Sequence, residues 1–175
     1  MISYYQGNEL RRIPQLLAGL KTGKNTALTS NAGTPLISDP GFKLVRAAVK
    51  AGIKVLSIPG PSAVLTALVA SGLPTDKFLF LGFLPKKAGK RKRLLQNCQK
   101  LPFSATVVFY ESPYRLLKTL TAIEIVFGDI KIVIAREMTK LHEEFHREKI
   151  SSAISHFSKT KPKGEFTLLF NISQG

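Results

Sequence analysis

Cysteine occurs once, at Cys98, and tryptophan not at all. A lone thiol cannot close an intrachain disulfide, so the fold must rest on apolar burial, and a reducing, cytoplasmic setting is expected. No apolar run approaches the roughly 18 to 20 residues of a membrane-spanning helix, and the opening MISYYQGNELRR has no secretory core. There is no GxGxxG fingerprint, no P-loop and no CxxC pair, so the common dinucleotide, nucleoside-triphosphate and zinc-ribbon motifs are excluded. Acidic residues are scarce: 11 against 26 Lys and Arg, a formal charge of +15. That imbalance attracts polyanions, nucleic acid before an anionic membrane face.

Apolar residues make up 44 % of the 175, enough for a real core in one domain or two small ones. NELRRIPQLLAGL, 8–20, predicts a helix capped by Asn8, with Pro14 delaying or kinking it. TALTS, 26–30, predicts a short buried strand, FKLVRAAVKAG a helix over 42–52, IKVLSIPG a strand over 53–60, and PSAVLTALVASG a helix over 61–72. Alternating strand and helix with short links is the pattern of a parallel sheet with covering helices, whose ligands lie beyond the carboxyl ends of the strands. In the second half, strands are expected over 73–85 (after a linker), 104–112, 130–140 and 164–172. Helices are expected over RKRLLQNCQKL, PYRLLKTLTAIEIVFG and from Ser151, in an α+β arrangement with hairpins.

Two loops fall at expected strand ends. NAGTPLISDPG, 31–41, holds Gly33 and Gly41 for close approach and positive φ, with Pro35 and Pro40 stiffening the span. PGPSA, 59–63, repeats the device with Pro59, Gly60 and Pro61. Rigid loops with free backbone groups suit a small polar ligand, and they equally suit plain turning of the chain. His142 to His146 spells H-E-x-x-H letter for letter. A zinc-protease helix needs an apolar lead-in and a third ligand, and this stretch is polar throughout, so an exposed turn or helix is expected and no metal. The run KKAGKRKR supplies Lys86, Lys87, Lys90, Arg91, Lys92 and Arg93 as contacts to a phosphate backbone, giving affinity rather than base choice.

SNAGTPLISDPG, IPGPSAVLTALVASGLPTDKFLFLGFLP, FYESPYRL, AREMTK and KGEF occur in that order. Together they resemble the S-adenosylmethionine-dependent enzymes that methylate a cytidine ribose 2′-hydroxyl in 16S ribosomal RNA, members of the tetrapyrrole methylase superfamily. The resemblance implies an α/β, two-domain tetrapyrrole-methylase-like fold, expected here as domains 1–76 and 77–175. It also implies a homodimer, S-adenosyl-L-methionine in the cleft, and 16S rRNA or the small ribosomal subunit as partner, in the cytoplasm and away from membranes. Carried over, Asn31, Ala32, Gly33, Thr34, Pro59, Ser62 and Ala63 resemble cofactor contacts of the first domain, and Tyr110, Glu111, Gly164 and Glu165 those of the second. Arg115, Arg136 and Glu137 resemble cleft or substrate residues, the two arginines contacting RNA.

A ribose hydroxyl is a poor nucleophile that must lose its proton and sit in line with the methyl group. Glu111 or Glu137 is expected to take that proton, or Lys140 to stabilise the developing oxyanion. Two departures from the family pattern stand out. The family's opening strand and loop, resembling VPTPIGNL, and its EDTR segment are not matched, so a first domain lacking its N-terminal strands and weak or no cofactor binding are expected. Asn31 stands where the family typically has aspartate, exchanging an acceptor-only carboxylate for an amide. Methylation of a tetrapyrrole carbon, and a non-catalytic RNA-binding remnant, are the alternatives.

Overall fold

The computed structural model describes residues 1–173, which form two compact units, Met1–Ser62 and the chain from Ala63 onward. In the first unit, α1 (Glu9–Lys21) runs unbroken through Pro14, and α2 (Phe42–Lys50) ends before Gly52, whose positive φ of 71° turns the chain. Asn8 does not cap α1: its side chain accepts from the Tyr5 amide and donates to the Ser3 carbonyl, stitching the preceding turn. The buried Glu9 carboxylate joins the helices, accepting from the Gly41 amide, the Tyr4 hydroxyl and the Lys43 ammonium. Lys43, more than any other neighbour, holds its carboxyl below the usual range, and burial, helped by Glu9, pushes the Tyr4 hydroxyl up to about 12. Gly41 is obligatory there, because its φ is +141° and a Cβ would stand 2.7 Å from Leu28 Cδ2.

The strands expected over 26–30 and 53–60 do not form. A strand exists only through a ladder partner, and neither segment finds one within Met1–Ser62, so the apolar run 53–60 leaves Leu56 and Ile58 exposed.

From α3 (Ala63–Ser71) onward, one mixed sheet organises the second unit. Its strands are β1 (Phe78–Phe83), β2 (Ala105–Glu111), β3 (Lys131–Arg136), β4 (Glu144–Lys149) and β5 (Phe166–Ile172), in the order β1-β2-β5-β3-β4. Only β1 and β2 pair in parallel, joined by α4 (Ala88–Gln99). The other pairings are antiparallel. Helices cover both faces, which is why β2, β3 and β5 read as nearly continuous apolar runs. Val107, Phe109, Ile132, Ile134, Leu168 and Phe170 face α4, α5 (Leu116–Phe127) and α6 (Ile150–Lys159), while Val108, Val133, Ala135 and Leu169 face α3. β4, EFHREK, arises inside the stretch expected as a turn or helix. It is an edge strand with formal charge at four of its six positions, Glu144, Arg147, Glu148 and Lys149, a composition that discourages further pairing. Its Arg147 donates to the Ala70 and Ser71 carbonyls, satisfying the last turn of α3.

Candidate functional site

Register gathers one end of the sheet. Parallel pairing sets Phe83 of β1 against Tyr110 of β2, and antiparallel pairing sets both Glu111 of β2 and Arg136 of β3 opposite Phe166, the first residue of β5. The carboxyl ends of β1, β2 and β3 therefore meet the start of β5. Tyr110, Glu111, Arg115, Arg136, Glu137, Lys140, Gly164 and Glu165 all lie at this end, with the basic run 86–93 leaving from β1.

Glu111 is 2 % exposed and fully engaged. Its Oε1 accepts from the Ser112 amide at 2.7 Å and from Arg115 Nε at 2.7 Å, with Arg115 Nη2 at 2.5 Å, while Oε2 accepts from the Thr119 hydroxyl at 2.6 Å. Three nitrogens thus surround Oε1 and one hydroxyl holds Oε2, which fixes both ends of the carboxylate. Arg115 also donates to the Leu84 carbonyl at 3.0 Å, so this guanidinium ties the start of α5 to the end of β1. The pair organises the β2–α5 corner rather than presenting a free acid or a free cation.

At the neighbouring corner, Glu137 and Glu165 exchange contacts. The Glu137 amide donates to the Glu165 carbonyl, and the Glu165 amide donates to Glu137 Oε1 at 2.8 Å. Lys140 Nζ bridges Glu137 Oε1 at 3.2 Å and Glu165 Oε2 at 3.0 Å. The Glu165 amide, then Lys140, hold the Glu137 carboxyl below the usual range, and the two glutamates, Glu165 first, raise the Lys140 ammonium above its own. Gly164 permits the arrangement: its φ is +93°, and a Cβ would lie 2.6 Å from Glu137 Cγ. Arg136 is anchored too, donating to the Lys163 carbonyl at 2.6 Å and to both oxygens of Glu144 at 2.9 Å.

Among the described residues, the non-glycine residues with positive φ are Leu36, Ser38, Glu137 and Thr139. They fall in two loops, NAGTPLISDPG and AREMTK. Such backbone costs free energy and concentrates at working sites.

Along the basic run, Lys86, Lys87, Lys90, Lys92 and Arg93 are exposed, whereas Arg91 is 7 % exposed and points its Nη1 at the Pro85 and Lys86 carbonyls at 3.4 Å. Position 91 thus braces the loop against α4. The H-E-x-x-H letters do not lie on a helix: His142 is in a turn and His146 in β4, between Glu144 and Glu148. The one-turn spacing a zinc helix uses is not made.

In the first unit, the Thr34 hydroxyl donates to the Pro61 carbonyl at 2.8 Å, drawing the loop of Asn31, Ala32 and Gly33 to the loop of Pro59 and Ser62. The Ser30 hydroxyl, at 3.1 Å and 3.0 Å from the Ala32 and Gly33 carbonyls, holds the tip. Asn31, Ala32 and Gly33 are exposed, and no atom lies within 4 Å of where a Cβ on Gly33 (φ +69°) would stand. Ala63, which follows Ser62, opens α3 in the second unit.

The family described as tetrapyrrole (corrin/porphyrin) methylases matches residues 6–154. The chain is 49 % identical over 172 residues to the ribosomal RNA small subunit methyltransferase I of Thermotoga maritima, covering 98 % of this chain and 76 % of that protein. It is 47 % identical over 169 residues to the protein of the same name in Synechocystis, covering 96 % of this chain and 60 % of the relative. The chain thus spans about three quarters of the first relative's length and three fifths of the second's. In fold it resembles the methyltransferase CobJ, at a TM-score of 0.68 and 20 % identity over 93 % of this chain and 71 % of that one. It also resembles uroporphyrin-III C-methyl transferase from Thermus thermophilus complexed with S-adenyl homocysteine, at 0.59 and 15 % over 95 % and 74 %. Among the described residues no helix is long and apolar enough to cross a membrane.

Proposed function

Since the chain belongs to the tetrapyrrole methylases, we propose that it serves S-adenosylmethionine-dependent methylation of a cytidine ribose 2′-hydroxyl in 16S ribosomal RNA. The observation that carries this reading is the row of exposed cations, Lys86, Lys87, Lys90, Lys92 and Arg93, leaving the sheet end where the polar cluster stands. A small tetrapyrrole needs no such extended positive surface, whereas a phosphate backbone does. The name shared by the relatives, ribosomal RNA small subunit methyltransferase I, supports the same substrate. Assembly as a homodimer, a two-domain organisation and a cytoplasmic setting belong to the proposal.

The residues present fit the cofactor. The open space beside Gly33, on a loop held by Thr34 and Pro61, offers backbone groups to a polar ligand. Asn31, Ala32, Gly33, Thr34, Pro59 and Ser62 are the contacts the first unit would offer it, and Ala63, Tyr110, Gly164 and Glu165 those of the second. When bound, S-adenosylmethionine supplies an electrophilic methyl carbon on a sulfonium.

The chain's own residues divide the remaining work. Glu111, buried and held by the Ser112 amide, Arg115 and the Thr119 hydroxyl, is an anchor that sets the corner from which Arg115 reaches β1. A carboxyl depressed as Glu137 is makes a weak base, so Glu137 positions Lys140. Lys140, cationic at neutral pH and half exposed, stabilises the oxyanion that develops as the ribose hydroxyl gives its proton to solvent water. Catalysis is then largely positioning plus one cation.

Transfer of labelled methyl groups to 30S subunits, or to 16S rRNA, tests the reading. Lys140→Gln is expected to lower kcat by about 10² at unchanged cofactor affinity, the size of losing one oxyanion partner. Label appearing on a tetrapyrrole, and none on RNA, overturns the substrate.

A further inference from the structure

Two aromatic rings at the same sheet end have no role in the reading above. β1 alternates up to Phe80, with Leu79 packing toward α4 and α5 and Phe80 toward α3. Simple alternation would send Phe83 to the side of Leu79 and Leu81. Instead the β1–β2 register slips between Phe80 and Phe83, and Gly82 takes φ +62°. One extra residue in β1 is a bulge, and a bulge re-aims the side chain that follows it. Phe83 therefore stands on the face of Phe80 and Tyr110, its ring centroid 5.5 Å from that of Tyr110, and remains 56 % exposed.

Tyr114, in the corner between β2 and α5, is 84 % exposed. Its chain neighbour Arg115 is hydrogen-bonded to the Leu84 carbonyl, and Leu84 follows Phe83. Both rings thus project from a single braced corner, and Lys86 and Lys87 come three and four residues after Phe83.

We propose that Phe83 and Tyr114 form a stacking site for unpaired nucleobases of RNA, with Lys86, Lys87 and Lys90 holding the phosphates on either side. Exposed rings interleaved with cations are complementary to a single strand, which offers both π-faces and phosphates. A duplex covers its base faces by its own stacking and offers only the phosphates. The adjoining cluster of five exposed cations commits the surface to an anionic partner. The inference rests on the RNA-substrate reading and assigns the rings to base contact, apart from the residues that serve the methyl transfer.

The test uses the full chain and a short single-stranded RNA carrying 2-aminopurine, beside the same sequence paired in a duplex. Wild type is expected to quench the 2-aminopurine and to prefer the single strand. Tyr114→Leu and Phe83→Leu each weaken single-strand binding by about tenfold and relieve the quench, with the salt slope unchanged. Tyr114→Phe retains both. Lys86→Gln with Lys87→Gln flattens the salt slope and keeps the quench. Tyr114 is so exposed that its replacement leaves folding intact, which circular dichroism verifies, so this variant decides alone if Phe83→Leu unfolds. Wild-type affinity and quench in Tyr114→Leu overturn the proposal, as does a Phe83→Leu variant that loses S-adenosylmethionine binding while keeping RNA. Methylation of the small subunit with unaltered stacking variants sinks the stacking site alone. Quenching without any methylation of the subunit sinks the substrate reading and supports the stacking site.

Discussion

Arg115 holds Glu111 through two nitrogens while a third reaches the Leu84 carbonyl, so a buried carboxylate governs where β1 ends relative to α5. Removing one member of such a pair strands the other without its partner. Glu111→Ala is expected to cost about 3–5 kcal/mol, read as a fall in the urea midpoint at constant m-value. Arg115→Lys keeps the charge and loses the planar fork, and should cost less. A Glu111→Ala protein as stable as wild type would mean that the corner is held by something else.

Gly164→Ala meets two obstacles at once, a backbone at φ +93° and a Glu137 side chain 2.6 Å from the new Cβ. The backbone alone costs about 1–2 kcal/mol. Displacement of Glu137 then releases Lys140. Thermal denaturation should show the loss of stability, and methyl transfer should fall further than stability accounts for.

The exposed cations and Arg91 should part company on mutation. Replacing Lys86, Lys87, Lys90, Lys92 and Arg93 with Gln is expected to leave the melting temperature nearly unchanged. The same replacement should reduce the slope of log K against log salt by about 0.7 for each lost contact to a single strand. Arg91→Gln, whose side chain braces Pro85 and Lys86 from a buried position, should destabilise the protein and change the slope little. Equal behaviour of both variants would refute the division.

Acid should act through four carboxyls held below their ordinary values. These are Glu9 by Lys43, Glu137 by the Glu165 amide, Glu144 by Arg136 and Asp129 by the Ser151 amide. The folded state binds these protons less readily than the unfolded state. Their stabilisation is therefore complete above the ordinary 4.5 of glutamate and 3.8 of aspartate, and is lost as pH falls through the lower folded values. Lys140 works in the opposite sense. Its contribution is complete below 10.5 and disappears as pH rises through its raised folded value. Melting temperatures across pH should be level near neutrality and fall at both extremes, and Glu137→Gln should make the acid fall shallower.

The sheet of the second unit was readable in advance because both of its faces are covered. VVF, IVIA and TLLF are apolar enough to announce buried strands without alternation. The glycines after α2, α3 and α5 were readable for an equally local reason, since each takes a positive φ at a helix end. The order of motifs from SNAGTP to KGEF identified the family from sequence. What misled was charge and strand pairing. Arg91, Arg115 and Arg136 look like free cations in sequence, and each is occupied in the fold. EFHREK looks like a polar turn or helix, and becomes an edge strand only because β3 offers it a ladder.

By itself, then, the sequence determined the helices, the buried strands of the second unit, the basic run and the family. These depend on hydrogen bonds between near neighbours, on apolar content and on composition, all of which are local along the chain. Tertiary structure alone decided that 26–30 and 53–60 stay outside any ladder and that Glu111 is a buried anchor. It alone aligned Glu137, Lys140 and Glu165 around Gly164, and turned Phe83 to the face of Tyr110 at Gly82. Those outcomes depend on partners up to dozens of residues away, whose distance and direction are set only when the sheet closes.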